Sequence, residues 1–146
     1  MKAPGSSTLT FVLFPIAVLA VEFFRGFSIV PWFAPLLAWG FLQYYLVGRY
    51  RRRRGGGGPG MTVPPESLVT SGPYAWCRNP MYLGHLIFLL GLTLTFQSEI
   101  AFALLVLSAF RFQAQVRRDE RRLRERFGAD YEAYALRVKR WLPYLF

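Results

Sequence analysis

The chain has 146 residues, 53% hydrophobic and 18% aromatic, with a mean hydropathy of +0.25 and a formal net charge of +10. That length suits one domain, and the apolar share exceeds what a soluble domain of this size carries, which places the chain among membrane proteins. A single cysteine, Cys77, excludes an internal disulfide, and a single histidine, His85, excludes a zinc site built from several His or Cys ligands, so no metal is expected.

In chain order, four largely uncharged apolar runs predict transmembrane helices over about residues 8–24, 27–47, 80–97 and 99–116. The first run has one basic flank, Lys2, and no small-residue cleavage site before Glu22-Phe23-Phe24-Arg25, so it reads as a retained span and not as a cleaved signal peptide. Phe96-Gln97-Ser98-Glu99 reads as a tight turn that makes a hairpin of the last two spans. The expected fold is all-α, an integral membrane protein with about four transmembrane helices and a cytosolic amphipathic tail.

Of the 18 basic residues, Lys2 precedes the first span, Arg49, Arg51 to Arg54 and Arg78 follow the second, and ten lie from Arg111 onward. Only Arg25 falls in an outer loop. Positive charge collects on the cytoplasmic side of spans, which predicts a cytoplasmic or inner membrane protein with both termini in the cytosol and its arginines against anionic lipid heads. Topology thus accounts for the basic balance, and no nucleic-acid partner is expected.

Residues 55–60 form a Gly-rich linker, which no Lys-Ser or Lys-Thr pair follows, so it is not a phosphate loop. Pro64 and Pro65 keep the chain extended into a dense polar segment, Ser71 to His85. There Gly72-Pro73 marks a turn and Asn79-Pro80 a helix start, with Asn as cap and Pro at the first helical position. Free amides and the positive end of the helix dipole then suit a carboxylate or phosphate. Tyr82 and His85 sit one turn apart, and Gly84 and Gly91 share a face that admits another backbone or a ligand. Singly, these residues are a cap, packing notches and an interfacial aromatic belt of Tyr74, Trp76 and Tyr82; together they point to a site.

The fourth span continues as an amphipathic helix through Phe112, Val116, Glu120, Leu123 and Phe127, and Gly128 ends it. Glu120 is the carboxylate on this apolar stripe, either ion-paired with Arg117, Arg118, Arg121 or Arg124 or serving a function, and Asp119 lies beside it. Tyr131, Tyr134 and Val138, then Trp141-Leu142-Pro143, read as a short amphipathic helix and an aromatic anchor folding over a cytosolic pocket.

Gly72-Pro73-Tyr74, Arg78-Asn79-Pro80-Met81-Tyr82-Leu83-Gly84, Asp119-Glu120 with Leu123, Phe127-Gly128, Tyr131, Tyr134, Val138, Arg140 and Leu142-Pro143 together resemble the membrane-embedded methyltransferases typified by isoprenylcysteine carboxyl methyltransferase and phosphatidylethanolamine N-methyltransferase. The resemblance covers about the last half of the chain. It implies a single membrane methyltransferase domain whose part from 70 to 146 binds S-adenosyl-L-methionine, and a lipophilic methyl acceptor reaching the site from the lipid. Carried over by position, Gly72, Pro73, Tyr74, Arg78, Asn79, Tyr82, Gly84, His85 and Glu120 are expected at the cofactor, and Glu120, Asp119 and Arg111 at the chemistry. Carboxyl methyltransferases of this family carry an Arg four residues before the first acid of the pair, where this chain has Gln115 and Asp119; Arg111, one turn earlier on that face, is the candidate substitute. The acceptor stays open, and so do a phospholipid N-methyltransferase, a steroid-reductase-like enzyme using NADPH and a non-enzymatic lipid-binding protein.

Overall fold

The structure, a computed structural model, describes residues 5–26, 28–57 and 65–141. Lys2, Phe27, Gly58 to Gly60, Pro64 and Leu142-Pro143 lie outside the described residues. Among those described, every regular element is helical: α1 (Ser6–Arg25), α2 (Ala34–Gly55), α3 (Pro80–Phe96) and α4 (Glu99–Arg137), with short 3-10 turns at Pro31–Phe33 and Gly72–Ala75. Two are long and apolar enough to cross a membrane, α1 with a mean hydropathy of 2.0 and α4 with 1.3 over its most apolar stretch. The apolar α3 has 17 residues.

Helix limits follow local chemistry more closely than hydropathy does. Within α1 the turn Leu9–Leu13 is π-wound and lies against Pro15, whose ring lacks an N–H and crowds the carbonyl four residues back, so the wider turn relieves the clash. The second apolar run becomes helical only at Ala34, because Pro31 opens a 3-10 turn and the Val30 N–H is drawn off to the Thr95 carbonyl at 2.7 Å. That helix then runs past Val47 through the arginines to Gly55. Ser98 starts α4, its hydroxyl accepting from the Ala101 N–H at 3.3 Å after a turn in which Gln97 takes φ of 49°.

The described chain forms two compact units, Met1–Gln43 with Gly84–Arg111 and Tyr44–Leu83 with Phe112–Phe146. In the first, Val18, Leu89, Leu92 and Ala101 form a buried cluster flanked by Phe14, Leu37 and Leu104. Small residues let backbones meet: a Cβ on Gly40 would strike the backbone of Phe88 and Gly84, and one on Gly91 would reach Leu37 N at 2.8 Å. Its outer surface is apolar, with Ile16, Phe23, Phe24 and Trp32 exposed as a lipid-facing surface requires. In the second, Tyr131, Tyr134 and Val138 pack with Leu68, Leu123 and Phe127, and α4 breaks at Gly128 (φ 49°, ψ −123°), where the amphipathic pattern ends.

Because these backbone approaches leave no room for a methyl group, Gly40→Ala is expected to destabilise the protein by about 1–3 kcal/mol through overpacking. Thermal unfolding in detergent measures this, and an unchanged midpoint would contradict the close helix approach.

Candidate functional site

The second unit holds the site, and its framework is a set of ties made by the polar segment and by the residues beyond Gly128. The turn Gly72–Ala75 begins with Gly72 at φ of 59°, where a Cβ would meet the Tyr50 ring at 2.7 Å, so this position takes glycine on two counts. The Tyr134 hydroxyl donates to the Tyr74 carbonyl at 2.7 Å and the Arg78 N–H to the Lys139 carbonyl at 2.9 Å. The Asn79 side-chain amide donates to the Arg140 carbonyl at 3.1 Å, and the Trp141 indole N–H to Gln113 Oε1 at 2.8 Å. Burial raises the Tyr74 phenol and the Cys77 thiol above their usual ranges, so both stay protonated at neutral pH.

Glu120 is the charged centre of this unit, its side chain only 4% exposed. Arg140 grips it with two parallel bonds, Nε to Oε1 at 3.0 Å and Nη2 to Oε2 at 2.6 Å, and Arg78 Nη1 lies 3.2 Å from Oε1. The planar fork of Arg140 matches the carboxylate plane, and its own pKa rises because of that hydrogen bonding. Three of the roughly four accepting positions of the carboxylate are used, which leaves one on Oε2. Arg78 also donates Nη1 to the Tyr131 hydroxyl at 3.4 Å, while its buried Nε has no acceptor among the described residues.

Asp119, beside it, has a different shell: Tyr82 donates its hydroxyl to Oδ2 at 2.7 Å and Gln115 its amide to Oδ1 at 3.0 Å. Around these groups lies an open cleft with an empty volume of about 810 Å³, its solvent-filled mouth included. Tyr74, Arg78, Asn79, Tyr82, Asp119 and Glu120 line it, six of the positions that the sequence marks. Arg51, Leu68, Val69, Tyr131 and Tyr134 complete much of the wall. Gly72 and Pro73 belong to the supporting turn of the same unit. Gly84, His85 and Arg111 belong to the first unit. There His85 is fully buried with its ring 4.6 Å from Phe11, and Arg111 donates to the Ser6 hydroxyl at 3.4 Å.

Two participants differ from the sequence reading. The partners of Glu120 are Arg140 and Arg78, whereas Arg117, Arg118, Arg121 and Arg124, its neighbours along the helix, are exposed. Helical spacing brings near neighbours within reach, but a buried face turns them outward, and the partner comes from beyond the Gly128 break. Arg51, counted by sequence among topology arginines, is 8% exposed and forms part of the cleft wall; nothing in the sequence separates it from its neighbours in the run.

A carboxylate this buried is stable only while paired, so Arg140→Leu is expected to cost about 1–3 kcal/mol, Arg78 remaining as partial compensation. Glu120→Leu combined with Arg140→Leu is expected to cost less than the two single changes added together. Thermal unfolding of the three variants checks this, and strict additivity would mean that the pair is not coupled.

Residues 58–130, half of the chain, match the family model described as phospholipid methyltransferase. Protein-S-isoprenylcysteine O-methyltransferase of Mus musculus is 35% identical over 81 residues, covering 55% of this chain and 29% of that protein. Cobalt-zinc-cadmium resistance protein CzcN of Cupriavidus metallidurans is 38% identical over 81 residues, covering 55% of this chain and 37% of that protein. Nickel-cobalt-cadmium resistance protein NccN of Alcaligenes xylosoxydans xylosoxydans is 33% identical over 78 residues, or 53% and 37%. The chain thus spans well under half the length of these relatives. On the extent of that family match, the chain belongs to the phospholipid methyltransferase family.

Proposed function

We propose that this protein is an integral membrane methyltransferase, of the isoprenylcysteine carboxyl methyltransferase type, that uses S-adenosyl-L-methionine and acts on a lipophilic acceptor. In this reading four helices span the membrane, both termini are cytosolic and the site faces the cytosol. The observation that carries it is the cleft itself, with a buried acid clamped by two guanidinium groups and hydrogen-bonding capacity left over; Glu120 and Arg78 lie within the segment that matches the family, and Arg140 beyond it.

The groups present fit the amino-acid end of this cofactor. Arg78 Nε is a buried donor with no acceptor among the described residues, suited to a carboxylate, and Glu120 Oε2 keeps one accepting position, suited to an ammonium or a ribose hydroxyl. When bound, the cofactor supplies an electrophilic methyl group on a sulfonium, a chemistry that depends on alignment and exclusion of water. Arg140 and Arg78 hold Glu120 fixed, and Asn79 and Tyr134 hold the turn at Tyr74 and the residues after α4 as walls. Apolar Leu68, Val69 and Met81 in the same wall suit a lipophilic acceptor.

Isothermal titration of the purified protein with S-adenosylhomocysteine is expected to give saturable binding, with none for NADPH. Glu120→Ala is expected to weaken that binding by about 1–3 kcal/mol. Heat from NADPH alone would favour a reductase, and binding of neither would favour a lipid-binding protein without catalysis. Accessibility tags are expected to report both termini in the cytosol, and an external C-terminal tag would reverse the topology.

A further inference from the structure

We propose that Glu22 and Arg25, at the end of α1, bind the headgroup of a membrane phospholipid that carries a primary ammonium, the carboxylate taking the ammonium and the guanidinium the phosphate. This site belongs to the first unit, whereas the residues lining the cleft belong to the second, and it does not depend on the methyltransferase reading.

Both residues are out of place by the ordinary rules of membrane sequences. Glu22 is a carboxylate within an apolar span, and Arg25 is the one basic residue that collection of positive charge on the cytoplasmic side does not account for. Glu22 is 7% exposed, and its buried Oε1 has no hydrogen-bond partner among the described residues. Arg25 turns to Glu99, at 3.9 Å, and both members of that pair are exposed, so the guanidinium stays open to a better partner. An ion pair within α1 therefore does not explain the carboxylate.

Three helices build the surroundings of Glu22. Val18, Leu92 and Ala101 form one buried cluster, and Glu22, Thr95 and Ser98 each stand about one turn further toward the end where α1, α3 and α4 meet. That end is fixed by the Arg25–Glu99 contact and by the Val30 N–H, which donates to the Thr95 carbonyl at 2.7 Å. Thr95 is 4% exposed, and its buried hydroxyl has no partner among the described residues, whereas the Thr93 hydroxyl donates to the Leu89 carbonyl at 2.9 Å. An unmatched carboxylate oxygen and an unmatched hydroxyl at one buried end of the unit call for a cationic ligand with several donors, and an ammonium has three.

The neighbouring charge decides what else the ligand carries. A bare metal cation would be repelled by Arg25, three residues on along the same side of the helix, whereas a phosphate joined to the ammonium by a short linker gains a partner there. Between the two charges Phe23 and Phe24 are exposed, an apolar surface on which acyl chains lie. A quaternary ammonium has no N–H to donate and leaves both atoms unmatched, so the site separates ethanolamine headgroups from choline ones.

The test follows thermal unfolding of the full chain in detergent micelles titrated with dioctanoyl phosphatidylethanolamine or dioctanoyl phosphatidylcholine, with no methyl donor present. The ethanolamine lipid is expected to raise the midpoint saturably, by about 5 °C, and the choline lipid far less. Glu22→Gln, which keeps the shape of the side chain, is expected to erase the difference between the two lipids. Arg25→Gln, at an exposed position, is expected to raise the half-saturating concentration of the ethanolamine lipid about tenfold. An equal response of the unmodified protein to both lipids, a Glu22→Gln protein that still prefers ethanolamine, or an unshifted half-saturating concentration in Arg25→Gln would each overturn the inference. Binding of S-adenosylhomocysteine is a separate measurement, and its outcome does not bear on this site.

Discussion

One buried carboxylate dictates the architecture of the second unit. Taking Glu120 out of water costs several kcal/mol unless cations meet it with good geometry, and a chain of this size has little stability to spare. The solution joins three distant stretches, because Arg78 comes from the turn before α3, Glu120 from α4 and Arg140 from beyond the Gly128 break. The backbone ties from Arg78 and Asn79 to Lys139 and Arg140 follow the same closure. The ion pair is therefore less a source of net stability than a condition that permits only one arrangement of these segments.

That arrangement leaves hydrogen-bonding capacity where a ligand can use it. Arg78 spends one nitrogen on Glu120 and Tyr131 and keeps another free of acceptors among the described residues, while Asp119 takes neutral donors from Tyr82 and Gln115, with the exposed Arg122 guanidinium 4.0 Å away. Adjacent acids on one helix thus differ: Glu120 is structurally committed and Asp119 is available. The difference arises because Glu120 shares the buried face of Val116 and Phe112, and Asp119 lies at its margin. The glycine-mediated packing of the first unit answers a separate need, close approach of helices where apolar surroundings give no hydrophobic drive.

Much of this was legible before any coordinates. Apolar runs marked the helices, Gly128 marked the break, and the spacing of Tyr131, Tyr134 and Val138 marked the buried face of the last helical stretch. Six of the marked site positions line one cleft. What sequence could not show was which distant arginine reaches Glu120, since helical periodicity speaks only of neighbours on the same helix and Arg140 arrives across a break in direction. Hydropathy also misjudged the second helix at both ends: Pro31 delays its start, and charge ends an apolar run without ending a helix. Arg51 was hidden for the same reason, one inward arginine within a run of outward ones.

The central claim is that the segments joined by Glu120 enclose the methyl donor, and hydrogen–deuterium exchange with and without S-adenosylhomocysteine tests it most directly. The account predicts slower exchange confined to residues 72–82, 117–123 and 138–141, with residues 6–25 unaffected. Unchanged exchange in those three segments, or protection appearing only in 6–25, would contradict it.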